Sequence, residues 1–166
     1  MTGRAVPDRP GAGQESVWDY PRPPRVERSA AEVVVVLGGI EVCRTRQALR
    51  VLETSHPPGW YLPIDDWLPG ALEPAAGSSL CEWKGVAAYL DVVGGDRRAA
   101  SAAWTYPEPV AAYEVLRRTV AVYPAAMDGC TVGGERVRPQ EGGFYGGWVT
   151  DDVVGPFKGG PGTRGW

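Results

Sequence analysis

The sequence predicts a mainly β domain of α+β class, built of antiparallel strands with two short helices and an irregular C-terminal tail that wraps the core. Two observations carry that prediction. β-Branched runs alternate with Gly-Gly turns, and aromatic segments end repeatedly on proline. The run Val33-Val34-Val35-Val36-Leu37, then Gly38-Gly39, then Ile40-Glu41-Val42-Cys43 reads as a hairpin, because Gly-Gly supplies the positive φ of a tight two-residue turn. Gly 23 and Pro 16 in 166 residues imply many short elements, since Pro joins neither a central ladder nor a helix interior.

In chain order, residues 1–15 are rich in Gly, Pro and Arg without periodicity and are expected to be a disordered leader. Residues 16–31 read as an extended arm, where Trp18, Tyr20 and three prolines suit packing without sheet pairing. The core domain spans 32–139. Within it, Thr45 caps a predicted helix running to about Glu53, with Leu49 and Leu52 on one face, and His56-Pro57-Pro58 ends it. Residues 60–63 form a short strand, 69–79 a loop, and 80–83 and 86–93 further strands. Gly94-Gly95-Asp96 returns the chain through Arg98 to Trp104. Pro109 opens a second helix to about residue 118, carrying Val110, Tyr113 and Leu116. Residues 120–123 and 127–132 are strands, and Gly133-Gly134 turns into 136–138. The tail, 140–166, is mostly Gly with Phe144, Tyr145, Trp148, Phe157 and Trp166 as expected anchors on the core.

At 166 residues the chain fits one domain, and 43% hydrophobic with 22% charged residues is ordinary for a globular protein. A net charge of −3 disfavours a general nucleic-acid binder. No stretch approaches the ~20 apolar residues of a membrane span, and the N-terminus lacks a hydrophobic signal core. A cytoplasmic protein with no nucleic-acid or membrane partner is therefore expected. Three widely spaced cysteines fit reduced thiols better than a disulfide framework.

Several signatures occur in fixed order: His56-Pro57-Pro58, Trp60-Tyr61-Leu62-Pro63, Cys81-Glu82-Trp83-Lys84-Gly85, Ala103-Trp104-Thr105-Tyr106-Pro107 and the closing run from Gly155 to Trp166. Together they resemble the bacterial and fungal family catalogued as domain of unknown function 427. The resemblance covers residues 33–137, and the flanks resemble the longer, actinobacterial-style members. It implies a β-tent-like fold, in which two antiparallel sheets meet at an angle. Members carry a nucleotidyltransferase-like label in some catalogues. This sequence has neither a Gly-Ser pair followed by spaced metal-binding aspartates nor a P-loop.

The candidate site is a set of rings with charge beside them. Tyr61, Trp83, Trp104 and Tyr123 are the expected ligand-binding residues, and Lys84, Glu82 and Tyr106 the candidate catalytic ones. Strand alternation would send Cys81, Trp83 and Gly85 one way and Glu82 and Lys84 the other. A Lys84 amine desolvated against ring faces would have a lowered pKa and could serve as base or nucleophile. The bland alternatives are a solvated Glu82–Lys84 edge and simple packing of the rings. Cys43, His56, Cys81 and Cys130 could supply zinc ligands, but no two cysteines are close enough in sequence to pre-assemble half a tetrahedron, so no metal and no cofactor are expected. A Cys81–His56 nucleophilic pair, a phosphate cradle at residues 158–163 and a cation site at Asp65-Asp66 are weaker readings. The expected function is small-molecule binding in an aromatic pocket, with or without catalysis. The alternative is a non-catalytic module that recognises a peptide or protein. Homodimerisation is left open.

Overall fold

The computed structural model describes residues 4–166; the first three residues of the expected leader lie outside it. Among the described residues the chain forms strands β1 (Glu15–Ser16), β2 (Arg25–Ser29), β3 (Val33–Leu37), β4 (Ile40–Thr45) and β5 (Ala48–Leu52). There follow β6 (Gly59–Pro63), β7 (Leu72–Cys81), β8 (Gly85–Gly94), β9 (Arg97–Thr105) and β10 (Thr119–Val122). The last five are β11 (Gly129–Val132), β12 (Glu135–Arg136), β13 (Arg138–Pro139), β14 (Trp148–Val149) and β15 (Val153–Val154). The protein is mainly β and its two large sheets are antiparallel. One sheet has seven strands in the order β2-β5-β6-β10-β9-β8-β7, the other four in the order β12-β11-β3-β4. Among the described residues no helix is long and apolar enough to cross a membrane.

Of the two predicted helices, the first is replaced by a strand and the second is a short 3-10 helix, Ala111–Leu116. Residues 48–52 form a central strand paired with β2 and β6. All five of its residues are buried: Leu49 and Val51 enter one apolar cluster, while Ala48 and Leu52 enter two others. A short buried run, apolar apart from Arg50, has no periodicity to separate strand from helix, and sheet pairing decides it. Residues 111–116 are two 3-10 turns merged across a kink at Tyr113 (φ −117°, ψ 22°). The Tyr113 hydroxyl donates to the Pro24 carbonyl, a buried bond that favours the kink over a regular helix.

Three other expectations also change. The predicted loop at 69–79 is mostly strand β7, which tolerates Pro74 because it is an edge strand with a bulge between Pro74 and Ser78. The arm does pair: β2 runs antiparallel along the whole of β5. The described part of the leader is held rather than free. Gln14 Nε2 donates to the Asp151 carbonyl at 2.7 Å, and β1 pairs in parallel with β15.

The main core lies between the two large sheets. Val33, Val35, Val42 and Cys130 from one sheet meet Trp60, Leu62, Val92, Val120 and Val122 from the other. At one end the β3–β4 turn touches the β8–β9 turn backbone to backbone. A Cβ on Gly38 (φ +61°) would lie 2.0 Å from the Gly94 carbonyl oxygen, so only glycine fits there. From the C-terminal segment, the fully buried Trp148 stacks on Trp60 at 6.0 Å, and its indole N–H donates to the Val122 carbonyl. Trp166 packs edge-on against Trp18, and Phe157 packs beside Val17, Leu52 and Val153. Phe144, by contrast, is 71% exposed and anchors nothing in the core.

Replacing Trp148 by Ala removes a large buried ring and strands an acceptor, so Trp148→Ala should lower unfolding free energy by about 3–5 kcal/mol. Urea titration followed by circular dichroism measures it. A loss below about 1 kcal/mol would mean that the ring is not an integral part of the core.

Candidate functional site: an aromatic cleft with two lysines

Alternation along the seven-stranded sheet sets up the site. On β6, Trp60 and Leu62 face the inter-sheet core while Tyr61 faces the opposite side with Leu49, Val51, Tyr106 and Leu116. On β9, Ala103 enters the inter-sheet core and Trp104 points outward. Trp104 stands opposite small Ala121 on β10 and opposite Tyr89 on β8. Its indole N–H donates to the Tyr61 hydroxyl at 3.2 Å, and the two rings meet edge to face at 6.5 Å. Tyr106, just past the end of β9, lies 6.3 Å from Tyr61; Tyr123, just past β10, lies 4.7 Å from Trp104. These outward rings border a cleft of about 370 Å³.

The Cys-Glu-Trp-Lys-Gly motif is a hairpin turn, not a continuous strand. Cys81 pairs with Gly85 across it, and residues 82–84 form the turn. The expected alternation is therefore replaced by a tip that overhangs the cleft, with Glu82 exposed and Trp83 half-buried. Gly85 (φ +114°) permits the turn, and the Val110 N–H fixes it by donating to the Lys84 carbonyl at 2.9 Å. The Lys84 ammonium comes to lie 5.7 Å from the centre of the Tyr106 ring. Every residue expected at the site thus borders one cleft.

The expected lowering of the Lys84 pKa is overturned. Burial favours the neutral amine, but Tyr61, Cys81 and Glu53 outweigh burial and hold the pKa above its ordinary value. Lys84 is therefore a cation, poorly suited to act as a base. Burial, reinforced by Tyr61 and Cys81, also pushes the Tyr106 hydroxyl up, leaving it a neutral hydrogen-bonding group.

A second wall, not assigned to the site from sequence, comes from Glu53, His56, Gln140, Tyr145 and Lys158; of these, the sequence suggests only other roles for His56 and Lys158. Ser55, buried and with φ +71°, turns the chain so that His56 enters the cleft. The Gly147 N–H donates to Gln140 Oε1, which leaves Gln140 Nε2 to donate to the Lys158 carbonyl at 2.6 Å and to His56 Nδ1 at 3.2 Å. That network assigns the proton of neutral His56 to Nε2, which faces Glu53 Oε2 at 3.5 Å. With both ring nitrogens engaged, His56 has no lone pair for Cys81, and the nucleophilic-pair reading fails. Burial first, then the charges of Lys158, Arg22 and Lys84, pushes the His56 pKa down to about 4.

The other candidates are accounted for locally. Cys43 and Cys130 flank Val35 in the four-stranded sheet, and burial pushes both thiols up to about 12. They lie in the inter-sheet core, whereas Cys81 and His56 line the cleft. Among the described residues no three His, Cys, Asp or Glu side chains converge as a metal site. Asp65 pairs with Arg118, and Asp66 accepts from the Thr45 hydroxyl. At residues 158–163, the Lys158 N–H goes to the Ser55 carbonyl, the Gly159 N–H to Thr163 Oγ1 and the Thr163 N–H to the Gly160 carbonyl. Amides engaged in this way do not form a phosphate cradle.

Because His56 is buried neutral, the unfolded chain takes up its proton before the folded one does. The stability it carries is complete above about pH 6.5 and is lost as pH falls toward about 4. Over that interval the wild type should lose about 3 kcal/mol more than His56→Gln. Denaturant titrations of both proteins at a series of pH values check this, and parallel pH profiles would show that His56 titrates freely.

The family model described as Domain of unknown function (DUF427) matches residues 25–133, which include β2 through β11 and the whole ring-bearing wall of the cleft. No curated protein matches the chain. A match over that share of the sequence establishes that the chain belongs to the DUF427 family.

Proposed function

We propose that this protein binds a small, planar molecule in the aromatic cleft. The observation that carries the reading is the convergence of rings from separate segments, Tyr61, Trp83, Trp104, Tyr106 and Tyr123, on a single cleft of about 370 Å³. That volume lies in the range of small-molecule sites, and the mixture of aromatic walls with a few polar groups is their usual composition. Stacking against such rings contributes roughly 0.5–1.5 kcal/mol per pair beyond the area it buries.

The charge state of Lys84 bears on chemistry. A protonated ammonium anchors or polarises a ligand, whereas a base or nucleophile needs the free amine. Glu82 is exposed at the tip of the turn. The reading is therefore of a binding site first, with Lys84 and Tyr106 as hydrogen-bonding groups to the ligand. The peptide-recognition alternative draws support from Leu80, 78% exposed, and Phe144 on the rim of the same cleft.

Native purification followed by untargeted mass spectrometry of the released small molecules tests the proposal. The wild type should retain a compound absorbing in the near ultraviolet. Trp104→Ala should lower its retention roughly three- to tenfold, while Leu80→Asp should leave it unchanged. A retained peptide lost in Leu80→Asp would favour the alternative. Retention indifferent to both Trp104→Ala and Tyr123→Ala would overturn the proposal.

A further inference from the structure

We infer that the ligand of this cleft carries an oxyanion, a carboxylate or phosphate attached to its planar body, held between the ammonium groups of Lys84 and Lys158. The inference rests on the aromatic-cleft reading above and adds to it the sign of the ligand's charge.

The first support is the distribution of lysine. Of seventeen basic residues only Lys84 and Lys158 are lysines, and both border the same cleft. They enter from different walls, one from the β7–β8 turn and the other from the C-terminal segment. Each ammonium lies over a tyrosine ring, Lys84 at 5.7 Å from Tyr106 and Lys158 at 5.6 Å from Tyr145. An ammonium offers three rotatable donors to an acceptor.

The second support is that neither ammonium is paired with a side-chain carboxylate. Many arginines elsewhere on the surface pair with carboxylates, as in Arg44 with Glu32 and Glu41, Arg98 with Asp91, and Arg138 with Asp151. Among the described residues no side-chain carboxylate oxygen lies within 4.0 Å of either lysine ammonium. Lys158 donates to an oxygen of Trp166, the last residue of the sequence, which also accepts from Arg22, and two of its donors remain. Of the two carboxylates that border the cleft, Glu53 acts on Lys84 only from beyond 4.0 Å. Glu53 is engaged by Arg22 and faces His56, each at 3.5 Å, and Glu82 is exposed on the turn.

The third support is the state of His56. The positive charges of Lys84 and Lys158 both act on its ring, which places their fields at one point of the cleft, and the imidazole there is neutral. A cleft with two ammonium groups, neither paired with a side-chain carboxylate, disfavours a cationic guest, although its rings alone would suit one. An oxyanion on a planar ring satisfies both features at once.

A matched series of probes separates charge from shape: naphthoate, naphthyl phosphate, naphthamide and naphthylmethylammonium, titrated into the full chain with tryptophan fluorescence as readout. At least one anionic probe should bind about tenfold or more tighter than naphthamide, with the ammonium probe weakest. The first two probes distinguish a carboxylate ligand from a phosphate one. Lys84→Met should abolish the preference for the anion, Lys84→Arg should retain it, and Lys158→Met should weaken it. Equal affinity for the anionic and amide probes, tighter binding of the ammonium probe, or an anion preference indifferent to both Met variants would overturn the inference while leaving the aromatic cleft intact. Failure of every probe, naphthamide included, would instead overturn the cleft reading and this inference with it.

Discussion

The cleft depends on one buried side-chain amide. Gln140 joins three segments far apart in sequence: its oxygen takes the Gly147 N–H, and its nitrogen donates to the Lys158 carbonyl and to His56 Nδ1. Because the Gly147 N–H can only donate, the amide cannot be turned round without placing donor against donor. The amide orientation then fixes the imidazole tautomer, and the tautomer directs Nε2–H toward Glu53. A buried polar network of this kind is stabilising only when each member is satisfied. Removing the Gln140 amide would orphan a glycine N–H, a carbonyl and a ring nitrogen together, so the rear wall of the cleft behaves as a unit.

That unit explains the division of labour across the cleft. The ring-bearing wall lies within residues 25–133, the part matched by the family model, whereas Gln140, Tyr145 and Lys158 follow it. The first wall supplies flat apolar surface and the Lys84 cation. The second supplies a neutral imidazole, a second cation and the Gly-rich segment that carries the exposed Phe144. The second wall is itself held by the core: Trp148, immediately after Gly147, is fully buried against Trp60, whose neighbour Tyr61 forms part of the first wall. Opposite faces of a single strand therefore hold the two walls in register.

Much of the fold was legible because hairpins are local. Gly38-Gly39, Gly94-Gly95 and Gly133-Gly134 each mark a real turn, and the β-branched runs beside them are strands. The rings of the site were legible for a related reason. Tyr61 and Trp104 lie on short strands whose residues alternate between core and cleft, and both strands pair with β10. What stayed hidden depends on tertiary context. Ala48–Leu52 is buried on both faces and apolar apart from Arg50, a pattern shared by a buried strand and a buried helix, and only its pairing to β2 and β6 decides. Gln140 and His56 are 84 residues apart, and a lone glutamine in a glycine-rich stretch carries no signature of burial. The one usable clue was compositional: both lysines of the chain sit in the aromatic signatures, beside Trp83 and Phe157.

The misreading of Lys84 shows how context decides an electrostatic question. Desolvation by aromatic walls is the largest single influence on the group and acts as expected, against the charge. It is outweighed by several smaller influences from Tyr61, Cys81 and Glu53, none of which is the adjacent Glu82 that strand alternation would have paired with it. The hairpin turn is what changes the partners. By lifting residues 82–84 out of the sheet, it exposes Glu82 and carries Lys84 over Tyr106 toward the opposite wall. The π-face that desolvates the ammonium also attracts it, so the rings tolerate the charge that their apolar surface would otherwise expel. Lys158 repeats the arrangement over Tyr145, and the cleft is consequently lined by rings that hold their cations without neutralising them.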